Sequence, residues 1–551
     1  MKIKYLVSAL YSVSLVSIAQ TLPEAGSLQQ QIEKDRRVEL PKLQMQSPAP
    51  SPAPLKIQGE LVVEVREFRF SGNTLLDTQE LTKALSGFLE RPLDLAQLQS
   101  ATATVAQTYR NSGWVARAYL PEQDIAQGVI TIQIVEAVFG GIQFDDAVKP
   151  SLVETAQIQA LFDSQIKPGE KLAQQRLERA LLLSDDLQGV SATGALAEGD
   201  SGGQTVMKIK LTDSPLIAGD VTLDNTGSRA TGSQRGLANL QMNSPARLGD
   251  QINLLALVTE GSRYGRAAYT VPTGNDGLRV GVNASSMNYK VITHDVPNDL
   301  RGTSDVVGLE ASYPVLRSRM ANLYLNLSAD RKSFDNERDG ATSTRYQTTV
   351  YNLAFNGNNF DSLLGGGANS GTVTLSRGDL TNQLNHEALQ GTFSKLRYQL
   401  RRQQVVNNSL SASAVFSGQW ANRNLDSSEK FYLGGASGVR AYPTSEGGAS
   451  LGQMLNLELR QQLTNGFNAS VFYDWGHLKD PVGGSFVQAI SLKGWGLALG
   501  WQAESGLSLK GTWSRRIGEN PNPTSSGSGI GNDQDGSLVR NRFRLTASLP
   551  F

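Results

Sequence analysis

The chain has 551 residues, 55 of them glycine and none cysteine, with 51 basic against 51 acidic side chains and three histidines. The missing cysteine excludes a disulfide framework, a thiolate metal site and a thiol nucleophile, and His294, His386 and His477 lie too far apart in sequence for a metal-ligand spacing. With no net charge there is no basic footprint for nucleic acid, so neither a nucleic-acid partner nor a cofactor is expected.

Residues 1–19 read as a secretory signal. Lys2 and Lys4 precede an apolar run, and Ser17-Ile18-Ala19 offers small residues for signal-peptidase cleavage before Gln20. The run is short and rich in serine; its other reading is an uncleaved anchor. No later stretch supplies about 18 consecutive apolar residues, so no spanning helix is expected. That leaves a periplasmic protein or an outer-membrane barrel, whose strands hydropathy hides.

Residues 20–40 hold good helix formers, but only Leu28 and Ile32 share an apolar stripe. Pro41 stops the helix, and the alternating prolines of 47–54 make residues 41–56 an extended linker. The two readings are a disordered tail on a tether, or a polar helix lodged in a watery pore.

Residues 57–137 form a mixed unit. A strand at 62–70 is followed by helices at 77–89 and 94–111, the second capped by Asp94, and by strands at 114–120 and 129–136. The same β-α-α-β-β order recurs over 138–212, which makes an internal repeat. Within it, the pairs Asp145-Asp146 and Asp185-Asp186 read as solvated, since adjacent side chains diverge. The segments Phe70-Ser71-Gly72-Asn73-Thr74, Tyr119-Leu120-Pro121-Glu122-Gln123, Arg179-Ala180-Leu181-Leu182 and Leu187-Gln188-Gly189-Val190 resemble, in this order, the POTRA pair of two-partner secretion transporters.

From residue 213 onward the helical period gives way to alternation. Leu455, Leu457 and Leu459 oppose Asn456, Glu458 and Arg460; Phe543, Leu545, Ala547 and Leu549 oppose Arg540, Arg542, Arg544 and Thr546. A soluble sandwich alternates too. Arginines facing a wholly apolar side fit a hydrated lumen inside a lipid-facing wall, and the 336 residues from 216 to 551 divide into sixteen strands at 21 residues each. The segment 223–229 looks like the first strand of two-partner secretion transporters, and Phe551 resembles the terminal aromatic of outer-membrane barrels, where it implies recognition by the barrel assembly machinery.

No catalytic constellation is present. Gly365-Gly366-Gly367 lacks the following Gly-Lys-Ser/Thr of a phosphate loop, and Gly435-Ala436-Ser437-Gly438 lacks the spacing of a nucleophile elbow. On the strand around 470–476, Asp474 shares a face with Phe472 and Gly476, which points it into the lumen, where a carboxylate needs a partner. The loop motif Gly438-Val439-Arg440-Ala441-Tyr442 and the strand motif Phe472-Tyr473-Asp474-Trp475-Gly476 resemble the two signatures of the Omp85 superfamily, and the resemblance implies that Arg440 pairs with Asp474. Ala441 departs from the family's glycine there. A glycine has backbone angles closed to alanine, so the loop tip is expected to be held slightly differently.

The whole resembles a two-partner secretion transporter (TpsB) of the ShlB/FhaC/HecB haemolysin secretion/activation family. The resemblance implies a mainly β fold: a 16-stranded antiparallel transmembrane β-barrel (213–551), preceded by two periplasmic POTRA domains (57–137 and 138–212) and an N-terminal plug helix. It implies no enzyme activity, an outer-membrane location, a monomer in lipid, and a large TpsA-type exoprotein as partner (an adhesin, haemolysin or contact-dependent toxin carrier). An Omp85-type insertase and a passive porin are the alternatives.

Overall fold

The structure, a computed structural model, describes residues 24–35, 62–123, 127–145, 151–199, 204–293, 299–444, 446–480, 489–521, 523 and 532–551. The signal segment 1–19, the linker 41–56 and both ends of the 20–40 helix lie outside these residues, as do His294 and Asp146. Among the described residues no helix is long and apolar enough to cross a membrane.

The first unit is built around Leu95–Asn111, a helix that starts where it does because Asp94 and Gln97 form a reciprocal capping box. Its buried face, Leu98, Ala101, Val105 and Tyr109, packs on Ile130, Ile132 and Ile134 of the central strand. That strand, Val129–Glu136, lies parallel to Glu67–Ser71 and antiparallel to Ala116–Tyr119. The expected first strand is broken in two, because Val63–Val65 turns aside to pair with Arg91–Leu93. The second unit repeats the plan. Val138–Phe144, Gln204–Asp213 and Val190–Glu198 form the sheet in that order, under helices Thr155–Gln165 and Gln174–Asp185.

The two units are joined by backbone. Val115 donates to the Leu172 carbonyl (3.2 Å) and Leu172 to that of Ala137 (2.9 Å). At this junction Glu136 is buried; it accepts from the N–H groups of Thr74 (2.6 Å) and Leu75 (2.7 Å), from Tyr109 Oη (3.0 Å) and from Lys171 Nζ (2.9 Å). Burial alone would raise its pKa, but the hydrogen bonds from Thr74, Lys171 and Leu75 outweigh it and hold the carboxyl down at about 2.

Sixteen antiparallel strands, from Ile217–Asp224 to Asn541–Pro550, close into a barrel in which each bonds to the next and the last to the first. The strands are unequal. Most of the wall has strands of 8 to 13 residues, whereas those between Leu300 and Leu384 reach 18 to 21. The segment 223–229 straddles the end of the first strand and the turn after it, because Asp224 folds that turn by accepting from Thr226 N–H at 2.7 Å and Arg235 Nε at 2.9 Å. Closure is short, running from Thr546↔Asp224 to Pro550↔Asp220, and it is completed by Phe551 and Gly219, which exchange two backbone hydrogen bonds of 2.9 and 3.0 Å. Period-two alternation sets the faces: Phe543 and Leu545 are exposed on the outside, and Arg544 is buried toward the lumen.

The second periplasmic unit is fastened to the barrel rim. Asp186, expected to be solvated, takes a bidentate ion pair from Arg317 (2.8 Å from both Nε and Nη2). Asp276, in a rim turn, is held by Arg179 (3.1 Å) and Gln165 (2.8 Å). Asp185 diverges from Asp186, as neighbours on a helix must, and caps the start of the next strand through Ala192 N–H (2.9 Å).

Candidate functional site

Because the periplasmic units precede the first strand, that strand starts at the periplasmic rim, and every second connection, including 385–390 and 422–450, is extracellular. The 422–450 loop folds back into the lumen. A two-residue ladder, Phe431–Tyr432 against Gly448–Ala449, makes its stem. Its tip buries Leu433, Val439, Ala441 and Tyr442 against Met454, Leu478 and Leu492 of the wall.

Arg440 lies at the centre of this tip. Its Nε and backbone N–H both donate to Asp474 Oδ2 at 2.9 Å, and its Nη2 donates to Oδ1 at 2.8 Å. Asp474 is fully buried on the strand Phe467–Lys479, and Asn456 adds a fourth donor at 2.8 Å. The guanidinium also stands 3.4 Å from the centroid of the Phe472 ring. The structure thus brings Arg440, Phe472 and Asp474 into one cluster. Gly476 lets the loop in on the same face, since a Cβ there would meet Leu433 at 2.5 Å. Gly438 turns the backbone so closely that a Cβ would overlap the Leu433 carbonyl oxygen. Val439 and Tyr442 are packing residues of the tip. Phe551 is remote from the cluster, at the periplasmic end of the seam.

A family model described as haemolysin secretion/activation protein ShlB/FhaC/HecB matches residues 203–503. The chain belongs to that family. A second model, of the ShlB-type POTRA domain, matches residues 63–137. The heme/hemopexin transporter protein HuxB of Haemophilus influenzae strain 86-028NP is 25% identical over 487 residues, covering 84% of this chain and 85% of that protein. The outer membrane transporter CdiB of Dickeya dadantii is 25% identical over 496 residues, covering 85% and 86%. The solved CdiB of Escherichia coli superposes with a TM-score of 0.71 at 18% identity, covering 97% of this chain and all of that one. The protein is therefore an outer-membrane transporter of two-partner secretion, with its POTRA domains in the periplasm, and it moves a partner exoprotein.

Several residues of this ShlB/FhaC/HecB-family lumen escape a reading of the sequence alone. Glu458 is a second carboxylate on Arg440, 2.8 Å from Nη1, and is itself paired with Arg460 at 2.9 Å. Ser514 Oγ donates to the Arg440 carbonyl at 2.7 Å, and Arg544 donates to the carbonyls of both Arg440 and Tyr442. Glu446 is fixed by Asn520 at 3.0 Å and by Gln534 N–H at 2.8 Å. For Glu458, Ser514 and Arg544 the only signal in the sequence is membership of the inward face of their strands, which they share with dozens of others, and Glu446, in the loop, has none.

The second body in the lumen is the helix Ala25–Asp35. Ala25 and Leu28 pack on Tyr264, Met287, Tyr289 and Phe334 of the inner wall. Its polar side is bonded as well. Tyr264 donates to Glu33 (2.9 Å), Asn336 Oδ1 accepts from Ala25 N–H (2.9 Å), and Lys34 donates to the Tyr432 carbonyl (3.1 Å). Gly26 lies close against the inward loop, with a Cβ there falling 2.8 Å from Ser427 Oγ and 3.0 Å from Ser428 Cβ. Ser427 in turn donates to Glu24 at 2.9 Å. On the far side Asp426 accepts from Tyr346 Oη (3.2 Å) and meets His386 Nε2 at 2.9 Å, so this loop root is held from two directions.

Proposed function

We propose that helix Ala25–Asp35 is a removable plug, and that the loop carrying Arg440 is a conformational element, in a pore that passes an unfolded exoprotein outward. The observation that carries this is the packing of the lumen by two pieces that are not part of its wall. The helix is held by single hydrogen bonds and short apolar contacts, and the loop by its apolar tip and the Arg440–Asp474 ion pair. A polar helix with two apolar positions is stable in this setting because the lumen supplies polar partners, and it is soluble once it leaves.

The partner proposed for this chain is a large TpsA-type exoprotein, by analogy with the relatives that transport. It docks on the POTRA units before entering the pore. The strand Val190–Glu198 is a sheet edge, bonded on one side only to Gln204–Asp213 and with Leu196 exposed, which suits addition of a strand from an extended chain. Export draws on no nucleotide; folding of the partner outside supplies the pull. Phe551, exposed beside the seam, serves as the signal read by the barrel assembly machinery, and the barrel works as a monomer in outer-membrane lipid.

Deleting residues 20–55 tests the plug. Conductance in planar bilayers is expected to rise severalfold, and unchanged conductance would refute it. Deleting residues 57–137 tests docking: export of the partner is expected to stop while the barrel still assembles.

A further inference from the structure

The outer wall between Ala321 and Ala421 carries an ordered pattern that pore function does not use. Strand register places Leu327, Leu353, Leu375, Leu396 and Trp420 side by side in one row, each directly opposite the next. The next row toward the extracellular side is Ala329, Tyr351, Arg377 and Ser394. The row beyond that is Arg331, Thr349, Asp379 and Thr392. All three rows face outward, with Tyr351 62% and Trp420 54% exposed.

The small Ser394 leaves a depression beside Arg377. The result is a groove of about 490 Å³, floored by the leucine row, walled by Tyr351 and Trp420, and rimmed by Arg377. Large aromatics at this level mark the edge of the hydrocarbon layer. Among the described residues neither Arg331 nor Arg377 has a carboxylate within ion-pair distance. Arg331 bonds only the neutral Gln347 (2.8 Å) and Arg377 only Ser394 (3.4 Å), while Asp379 accepts from Thr381 (3.5 Å). Elsewhere on the outer wall Arg345 is paired with Asp335. Guanidiniums at the border of a lipid-exposed groove need an anion, and that border lies on the extracellular side.

The geometry points to a binding site for a phosphate-bearing, multiply acylated lipid of the outer leaflet. Its phosphate is held by Arg377 and Arg331, and an acyl chain lies along the leucine row between Tyr351 and Trp420. Arginine suits phosphate because its planar fork gives paired hydrogen bonds, and the continuous leucine row offers a straight apolar track. The site lies outside the lumen, so it does not depend on the plug or on Arg440.

The test uses the full-length protein in detergent, mixed with a bis-phosphorylated, hexa-acylated glycolipid or with its enzymatically dephosphorylated form, and native mass spectrometry of the lipid retained. The wild type is expected to retain the phosphorylated lipid in preference. The double variant R331Q/R377Q is expected to retain roughly tenfold less, with Arg345→Gln unchanged, and Trp420→Ala should lower retention of both lipids. Equal retention by R331Q/R377Q and the wild type, equal retention of the two lipids by the wild type, or an equal loss in Arg345→Gln would each overturn the assignment. Folding of every variant is read from the heat-modifiable gel mobility of the barrel.

Discussion

The methyl group of Ala441 fills the space that Gly494 leaves on the wall opposite. A Cβ built on Gly494 would fall 2.5 Å from that methyl carbon. Ala441 is fully buried, and its φ is not among the positive ones. The alanine therefore has no need of glycine's backbone freedom at this position, and the loop tip is seated by a complementary pair, one residue on the loop and one on the strand Ile490–Gln502.

This pair gives the first prediction. Gly494→Ala should force the tip away from the wall and destabilise its seating by about 1–3 kcal/mol, as overpacking does, with reduced export. Ala441→Gly in the same background should restore export, because it removes the clashing methyl. Failure of that rescue would show that the two residues do not meet.

Arg440 and Asp474 give the second. Removing Arg440 leaves Asp474 buried without a cation, at a cost of about 3–5 kcal/mol to the tip, and removing Asp474 leaves the guanidinium with Glu458 as its one carboxylate. Arg440→Ala and Asp474→Ala should each lower export about tenfold or more while heat-modifiable mobility stays normal. Glu458→Gln should do less, since Asp474 still holds the guanidinium through Nε and Nη2. Normal export by both alanine variants would sink the pairing as a functional element.

The third concerns Gly26. A methyl there would press on Ser427 and Ser428, so Gly26→Ala should loosen the helix without touching the wall. Single-channel recordings should show more frequent openings than in wild type. A closed channel, indistinguishable from wild type, would mean that the helix does not depend on that contact.

The fourth is a pH dependence. The folded pKa of Glu136 lies below its usual value of 4.5, at about 2. Stability from the ionised carboxylate is complete above about 4.5 and is lost as pH falls toward 2, amounting to on the order of 3 kcal/mol. Calorimetry of the full chain in detergent at pH 6 and pH 3 should show the periplasmic transition moving down while the barrel transition moves less. In Glu136→Gln the periplasmic transition should be lower at pH 6 and should move less over this pH change than in the wild type.

Much of the architecture is legible in the sequence because it is periodic. Leu455, Leu457 and Leu459 alternate on one face, and the cap at Asp94 is visible ahead of a helical period. Strand lengths are not legible, because Leu300–Arg317 and Ala321–Arg338 continue past the apolar belt with no turn residue to show where lipid ends. Within the site, Asp474 could be placed in the lumen by parity alone, whereas Glu458 and Gly494 acquire their partners, Arg440 and Ala441, only through the way the loop folds back onto the wall. Asp186 looked solvated for a similar reason, its partner Arg317 being 131 residues away.

The helix and the loop belong to different parts of the wall. The helix rests on Arg279–Lys290, Leu300–Arg317 and Ala321–Arg338, and Arg317, which grips Asp186 of the second periplasmic unit, is on the middle one of these. The loop tip rests on Leu451–Gln462, Phe467–Lys479, Ile490–Gln502 and Ser508–Arg516. A load applied to the periplasmic arm therefore reaches the staves beneath the helix first. The arm and the helix share one mechanical frame and the loop tip has another, and the two frames meet where Lys34 and Glu24 bond the loop's root, so a shift of the helix is passed to the loop through Tyr432 and Ser427.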